Sequence, residues 1–231
     1  MSTAWNAIRA EWTKLRTAPG PAWLLLITAA VTVALGAAIS AAADCARDGC
    51  GADATRLALS GVYLGQAPVA VLAVLAVSGE YSTTLIRTTV TAIPNRAVVL
   101  AAKALVLAVT VAAAASLTQL ASVLVAGTLL PRLSLADGPV LRATAGSVAY
   151  LVLIALLSLG TAAAVRDSGV AIGTVLGLLY LPPILAQMVT DPQWHRLFER
   201  IAPMTAGKGV LVAWACGTLL IGALLLRFRD V

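Results

Sequence analysis

Glu80 closes an uncharged apolar run in VSGEYSTTLIRTTV and is followed by a threonine-rich stretch with a single arginine. On a helix, Glu80, Thr84, Arg87 and Thr91 are spaced 4, 3 and 4 and share one polar face, with Tyr81, Leu85 and Ala92 beside it. Such a carboxylate is either a catalytic group or a marker of where the chain changes environment. Cys45 and Cys50 lie five apart in DCARDGCGAD, around Gly49 and Gly51. In an oxidising compartment that spacing admits a small disulfide. Free thiols and a metal pair are the alternatives, the metal pair weakened by the lack of a histidine nearby. His195 is the single histidine. With Glu199 four residues on as its companion, it reads as a solvated side chain rather than a catalytic or metal-binding one. Cys216 sits inside an apolar run and reads as packing. No GxxxxGK[ST], HExxH or GxSxG occurs, so the chain is expected to be no enzyme and to hold no metal.

The elements that must position these residues follow from composition. Of 231 residues, 60% are hydrophobic and 11% charged, with a mean hydropathy of +0.95. A soluble domain carries about 25% charged residues. Long apolar stretches with so few charges suit a bilayer. The net charge of +6 is too thinly spread to form the dense patch that nucleic acid requires. The first apolar run is as long as a span, starts after residue 21 and is followed by others, which argues against a signal peptide.

A crossing helix needs roughly 20 apolar residues. Six segments are expected to cross: 22–43, 58–78, about 104–130, 143–165, 169–190 and about 209–226. The fold class is therefore all-α, a polytopic membrane protein with a cytoplasmic amphipathic helix at 1–21 and a six-span domain over 22–231. Ala97 to Leu130 holds Lys103 as its one charge, a stretch long enough to tilt, kink or project beyond the membrane. Pro182–Pro183 is expected to kink or split the fifth span. Gly61 and Gly65, and again Gly169, Gly173 and Gly177, have the four-residue spacing that lets helix backbones approach.

With the N-terminus cytoplasmic, Arg9, Lys14, Arg16, Arg87, Arg96, Lys103, Arg166, Arg227 and Arg229 fall inside. Arg47, Arg56, Arg132, Arg142, Arg196, Arg200 and Lys208 fall outside. The modest excess puts both termini in the cytoplasm. Trp5, Ile8, Trp12 and Leu15, spaced 3, 4 and 3, make a stripe suited to the membrane interface or to a docking protein. Threonine favours strands over helices, yet a lone strand at a membrane surface leaves its backbone unpaired, so residues 79–96 are read as a short helical segment. Residues 191–209, with Trp194, Leu197, Phe198 and Ile201 in one stripe, form an outer re-entrant or interfacial segment. Within the spans the polar side chains are Gln66, Gln119 and Gln187 with hydroxyls such as Ser116, Thr118 and Ser122. They do not form a proton relay.

AIRAEWTKLRT before the first span, VSGEYSTTLIRTTVTAIPNRAVVLAAKAL after the second and the terminal ALLLRFRDV resemble the permease subunits of bacterial ABC transporters of the ABC-2 type, actinobacterial ones especially. The likeness covers almost the whole chain. It implies a multi-pass subunit of the bacterial cell membrane that pairs with a second permease, as a homodimer or heterodimer, among membrane lipids. It further implies ATP-binding cassette subunits on other chains that bind ATP and magnesium and hydrolyse the nucleotide. Trp5 to Arg16 would be the cytoplasmic interface helix. Glu80, Tyr81, Thr84, Arg87 and Thr91 would lie against the ATPase, and Pro94, Arg96 and Lys103 would form the entry to the third span. The chain departs from the family at Thr84, where relatives often carry glycine. Export of an amphipathic or hydrophobic substrate is the implied activity; a non-transporting membrane subunit with an anchoring, immunity or signalling role is the alternative.

Overall fold

The structure is a computed structural model that describes residues 3–42, 51–82, 96–129, 137–165, 167–188 and 208–228. Every regular element among them is an α-helix. In chain order these are α1 (Thr3–Thr17), α2 (Pro19–Ala42), α3 (Gly51–Leu59), α4 (Val62–Ser82), α5 (Arg96–Leu129), α6 (Gly138–Val165), α7 (Ser168–Met188) and α8 (Lys208–Phe228).

Five stretches are long and apolar enough to cross a membrane: Pro19–Ala42, Thr55–Gly79, Val98–Leu129, Gly138–Val165 and Ser168–Met188. The described apolar part of α8, Gly209–Leu225, is shorter. The chain is thus an all-helical protein of multi-pass membrane type. The expected long third helix is present and continuous over 34 residues. At 1.5 Å per residue it extends about 50 Å, well beyond a hydrocarbon layer of about 30 Å.

Three features sharpen the sequence expectations. The segment before the second span is helical: α3 ends in a turn at Ser60–Gly61, where the Ser60 N–H donates to the Leu57 carbonyl at 3.3 Å and α4 begins. At the other end α4 runs on through Ser82, so the segment expected to start at residue 79 opens as a continuation of the span. Finally, of the kink or split expected at Pro182–Pro183 the split does not occur, since α7 stays helical from Ser168 to Met188. The two prolines supply no N–H to the carbonyls of Leu178 and Leu179, yet one missing bond per proline is tolerated where the rest of the turn holds.

The residues group into two compact units. One comprises Pro19–Val69 and Val109–Val152. Its α2 buries Thr28, Thr32, Gly36 and Ser40, one residue per turn, while Trp23, Leu26, Ile27 and Ile39 face outward. Small and polar residues inside with large apolar ones outside is the reverse of a water-soluble helix, and it is the arrangement lipid favours. The small line seats α2 against the start of α4. A Cβ on Gly61 would stand 2.0 Å from the Thr32 carbonyl oxygen, and one on Gly65 would stand 2.0 Å from Thr32 Oγ1. Only glycine permits this approach. In the same unit Leu59, Val123 and Val140 pack together, with Ala143 against them.

The other unit comprises Met1–Ala18, Ala70–Ala108 and Leu153–Val231. Its buried residues include Leu72, Leu107, Ile154, Leu157, Leu159 and Leu179. Here α6 and α8 cross at Gly160, where a Cβ would lie 2.6 Å from the Leu219 nitrogen. The fifth-span glycines behave differently. A Cβ on Gly173 would meet nothing within 4 Å, and one on Gly177 would meet only Leu181 of its own helix. That glycine series makes no close helix approach within the described residues. Cys216 on α8 is exposed rather than packed.

Candidate coupling site

The described residues place one buried ion pair in the molecule, and it joins α1 to α5. Lys103 Nζ lies 2.5 Å from Glu11 Oε2, and Lys14 Nζ donates to Glu11 Oε1 at 2.9 Å. Glu11 is 4% exposed and Lys103 7%. The two carboxylate oxygens thus each take one ammonium, which meets the requirement that a buried charge be both paired and hydrogen-bonded. Lys103 also donates to the Ala76 carbonyl at 3.1 Å. Ala76 is one helical turn ahead of Glu80. The same ammonium therefore ties α1 to the last part of α4.

Local sequence explains how these groups meet. Helix α1 presents Ala7, which is 3% exposed, one turn before Glu11. Three hydroxyl-to-carbonyl bonds, from Thr13 to Arg9 and from Thr17 to Thr13 and Lys14, lie along its exposed side. On α4, Ser78 Oγ turns back to the Val74 carbonyl at 3.0 Å, so this buried hydroxyl is satisfied within its own helix.

The stripe read from the sequence is present on α1, and the side that Ala7 and Glu11 bury is a different one. Trp5 is 52% and Trp12 49% exposed, while Ile8 and Leu15 are partly buried. Glu80 and Tyr81 occupy the last turn of α4. Thr84, Arg87 and Thr91 lie outside the described residues, as do Pro94, Cys45, Cys50, His195 and residues 191–207; Lys208 and Gly209 open α8. Lys103, counted as a flanking charge on the inner side, is instead buried in the eighth position of α5 and paired. Glu11 had no role in the sequence reading. It is the single acid before Asp44, on a helix otherwise carrying Arg9, Lys14 and Arg16. A lone acid on a basic helix and a lone lysine in a long apolar one are the signal that pairs them.

Polar groups also lie inside the first unit described above. The Tyr150 hydroxyl donates to Gln66 Oε1, joining α6 to α4. Both polar atoms of the Gln119 amide, with Thr32 Oγ1, Ser40 Oγ and Ser122 Oγ, are buried without a hydrogen-bond partner among the described residues. Gln119 and Ser122 sit one turn apart on α5. Such groups are costly to keep, about 1–3 kcal/mol each.

Comparison with models of known protein families finds no match, and comparison with curated protein sequences finds none either.

Proposed function

We propose that the chain is the membrane-spanning permease subunit of an ATP-driven transporter of the ABC-2 type, an exporter of amphipathic or hydrophobic substrates. It crosses the bacterial cell membrane six times with both termini in the cytoplasm. It pairs with a second permease copy or homologue and with ATP-binding cassette subunits, which bind ATP and magnesium and hydrolyse the nucleotide.

One observation carries this reading. The Glu11–Lys103 pair and the Lys103–Ala76 bond fasten α1 and the end of α4 to one point on α5. A force applied at Glu80 or along α1 would therefore act on the start of the long α5 rather than being lost in a loose terminus. Coupling of this kind requires contacts that differ between two states of the bundle. A buried, short-range ion pair supplies such a contact, since it is strong when made and costly when half-made. The chain carries no GxxxxGK[ST] motif, which fits an energy source on a partner.

The test is co-expression with an ATPase subunit carrying a GxxxxGK[ST] motif, followed by purification and reconstitution. The complex is expected to hold together and to show substrate-stimulated ATP hydrolysis. Glu80→Ala with Arg87→Ala is expected to lower the stimulated rate at least about tenfold, equivalent to about 1.4 kcal/mol of coupling, while the subunits still co-purify. Unchanged stimulation and transport in that double variant would overturn the assignment of the segment. Failure to associate with any such ATPase would overturn the transporter reading in favour of a non-transporting membrane subunit.

A further inference from the structure

We infer that the outward face of α1 is a binding surface for anionic lipid headgroups, in the leaflet where α2 enters the membrane. Trp5, Arg9, Trp12 and Arg16 are spaced 4, 3 and 4. At 100° per residue they fall within an arc of about 60°. All four are exposed. Ala7, Glu11 and Lys14 lie on the opposite side of the helix, where Ala7 and Glu11 are buried.

This face differs from the Trp5–Ile8–Trp12–Leu15 stripe. Docking through Ala7 and Glu11 turns Ile8 and Leu15 partly inward and brings the two arginines up between the tryptophans. Charge decides the occupant. The helix has one acid, and its two oxygens are taken by Lys103 and Lys14 on the buried side. Neither Arg9 nor Arg16 has an ion pair among the described residues. The exposed face is therefore purely cationic and aromatic. Indoles settle at the level of the headgroups, and guanidinium groups between them meet phosphate oxygens at that depth in a bidentate fashion. The next element supports the placement. Helix α2 begins at Pro19, directly after α1 in the chain, and its Trp23 and Leu26 are exposed as a helix entering hydrocarbon requires. An acidic protein surface would match the arginines but gives no use for two half-exposed indoles at an apolar boundary. The inference does not depend on what the bundle transports or whether it transports at all.

The experiment uses the full chain reconstituted in phosphatidylcholine vesicles containing a minor fraction of brominated phosphatidylglycerol or, in parallel, brominated phosphatidylcholine. Bromine quenches tryptophan at short range. The signal of Trp5 and Trp12 is obtained as the difference between the unaltered chain and Trp5→Phe/Trp12→Phe, which removes the contribution of the other three tryptophans. Stronger quenching by the brominated phosphatidylglycerol is expected, with an apparent preference of about fivefold per arginine that added salt weakens. In Arg9→Gln/Arg16→Gln the preference is expected to fall towards unity while quenching by brominated phosphatidylcholine persists. Equal quenching by the two lipids, or an undiminished preference in the glutamine variant, would overturn the inference. No quenching by either lipid would also overturn it, and would assign the face to a protein partner.

Discussion

At the scale of single residues, the Glu11–Lys103 pair has consequences out of proportion to its size. Both side chains are more than nine-tenths buried, so neither charge is solvated once its partner is removed. Glu11→Ala is expected to cost about 3–5 kcal/mol because it leaves a buried ammonium short of its counter-charge. The double variant Glu11→Leu/Lys103→Met removes both charges and replaces them with apolar groups of similar reach. It should recover most of that loss, since a buried pair is often close to neutral against a hydrophobic substitute. Thermal unfolding of the purified chain in detergent, followed for Glu11→Leu, Lys103→Met and the double variant, measures this directly. Additive effects would mean that the two side chains do not interact.

That pair also shows why residue-level function was only partly legible. Spacing alone put Glu80, Thr84, Arg87 and Thr91 on one face, but a face is a property of one helix. Glu11 and Lys103 are 92 positions apart. Their pairing depends on which sides of α1 and α5 meet, and periodicity in either segment does not contain that information. In the sequence Glu80 stands as an isolated acid and Lys103 as a base flanking a span. Burial, rather than position near a span end, is what makes Lys103 a structural centre.

At the scale of elements, the existence of each long helix followed from its run of apolar residues, whereas the packing of those helices did not. The two glycine series make the contrast plain. Gly61 and Gly65 approach the backbone and hydroxyl of Thr32, and Gly173 faces open space, although the four-residue spacing is the same in both. Close approach is a joint property of two helices, and only one of them is written in a GxxxG pattern. Gly61→Ala must push α2 away from α4, since its Cβ would overlap the Thr32 carbonyl, and a loss of about 2 kcal/mol or more is expected. Gly173→Ala meets no obstacle and removes backbone freedom from the unfolded chain. It should be neutral or stabilising by up to about 1 kcal/mol. Comparison of detergent-solubilised thermal midpoints for these two variants tests the seating of α2 on α4, and equal effects would argue against it.

For the whole molecule the decisive question is the number of crossings, because each crossing reverses the side on which the chain emerges. Five helices have spanning length beyond question, and α8 decides the parity. Its described apolar stretch of 17 residues covers about 26 Å and the described helix of 21 residues about 31 Å, against a hydrocarbon thickness of about 30 Å. A helix of that length can span with little tilt, and the exposed Val212, Leu220, Ile221 and Leu224 give it a lipid-facing surface. Six crossings then return the C-terminus to the side of the N-terminus. Green fluorescent protein fused after Val231 is expected to fluoresce in living cells, and alkaline phosphatase at the same place to be inactive. The reverse pattern would mean that α8 lies along the surface. Cys216 gives an independent reading in membranes of a Cys45→Ser/Cys50→Ser variant. A thiol surrounded by hydrocarbon is out of reach of a water-soluble maleimide, which should label it only after detergent is added. Labelling of intact membranes would place Cys216 in water, leave α8 at the interface and put the two termini on opposite sides, which would also deny a six-span permease its cytoplasmic pair of ends.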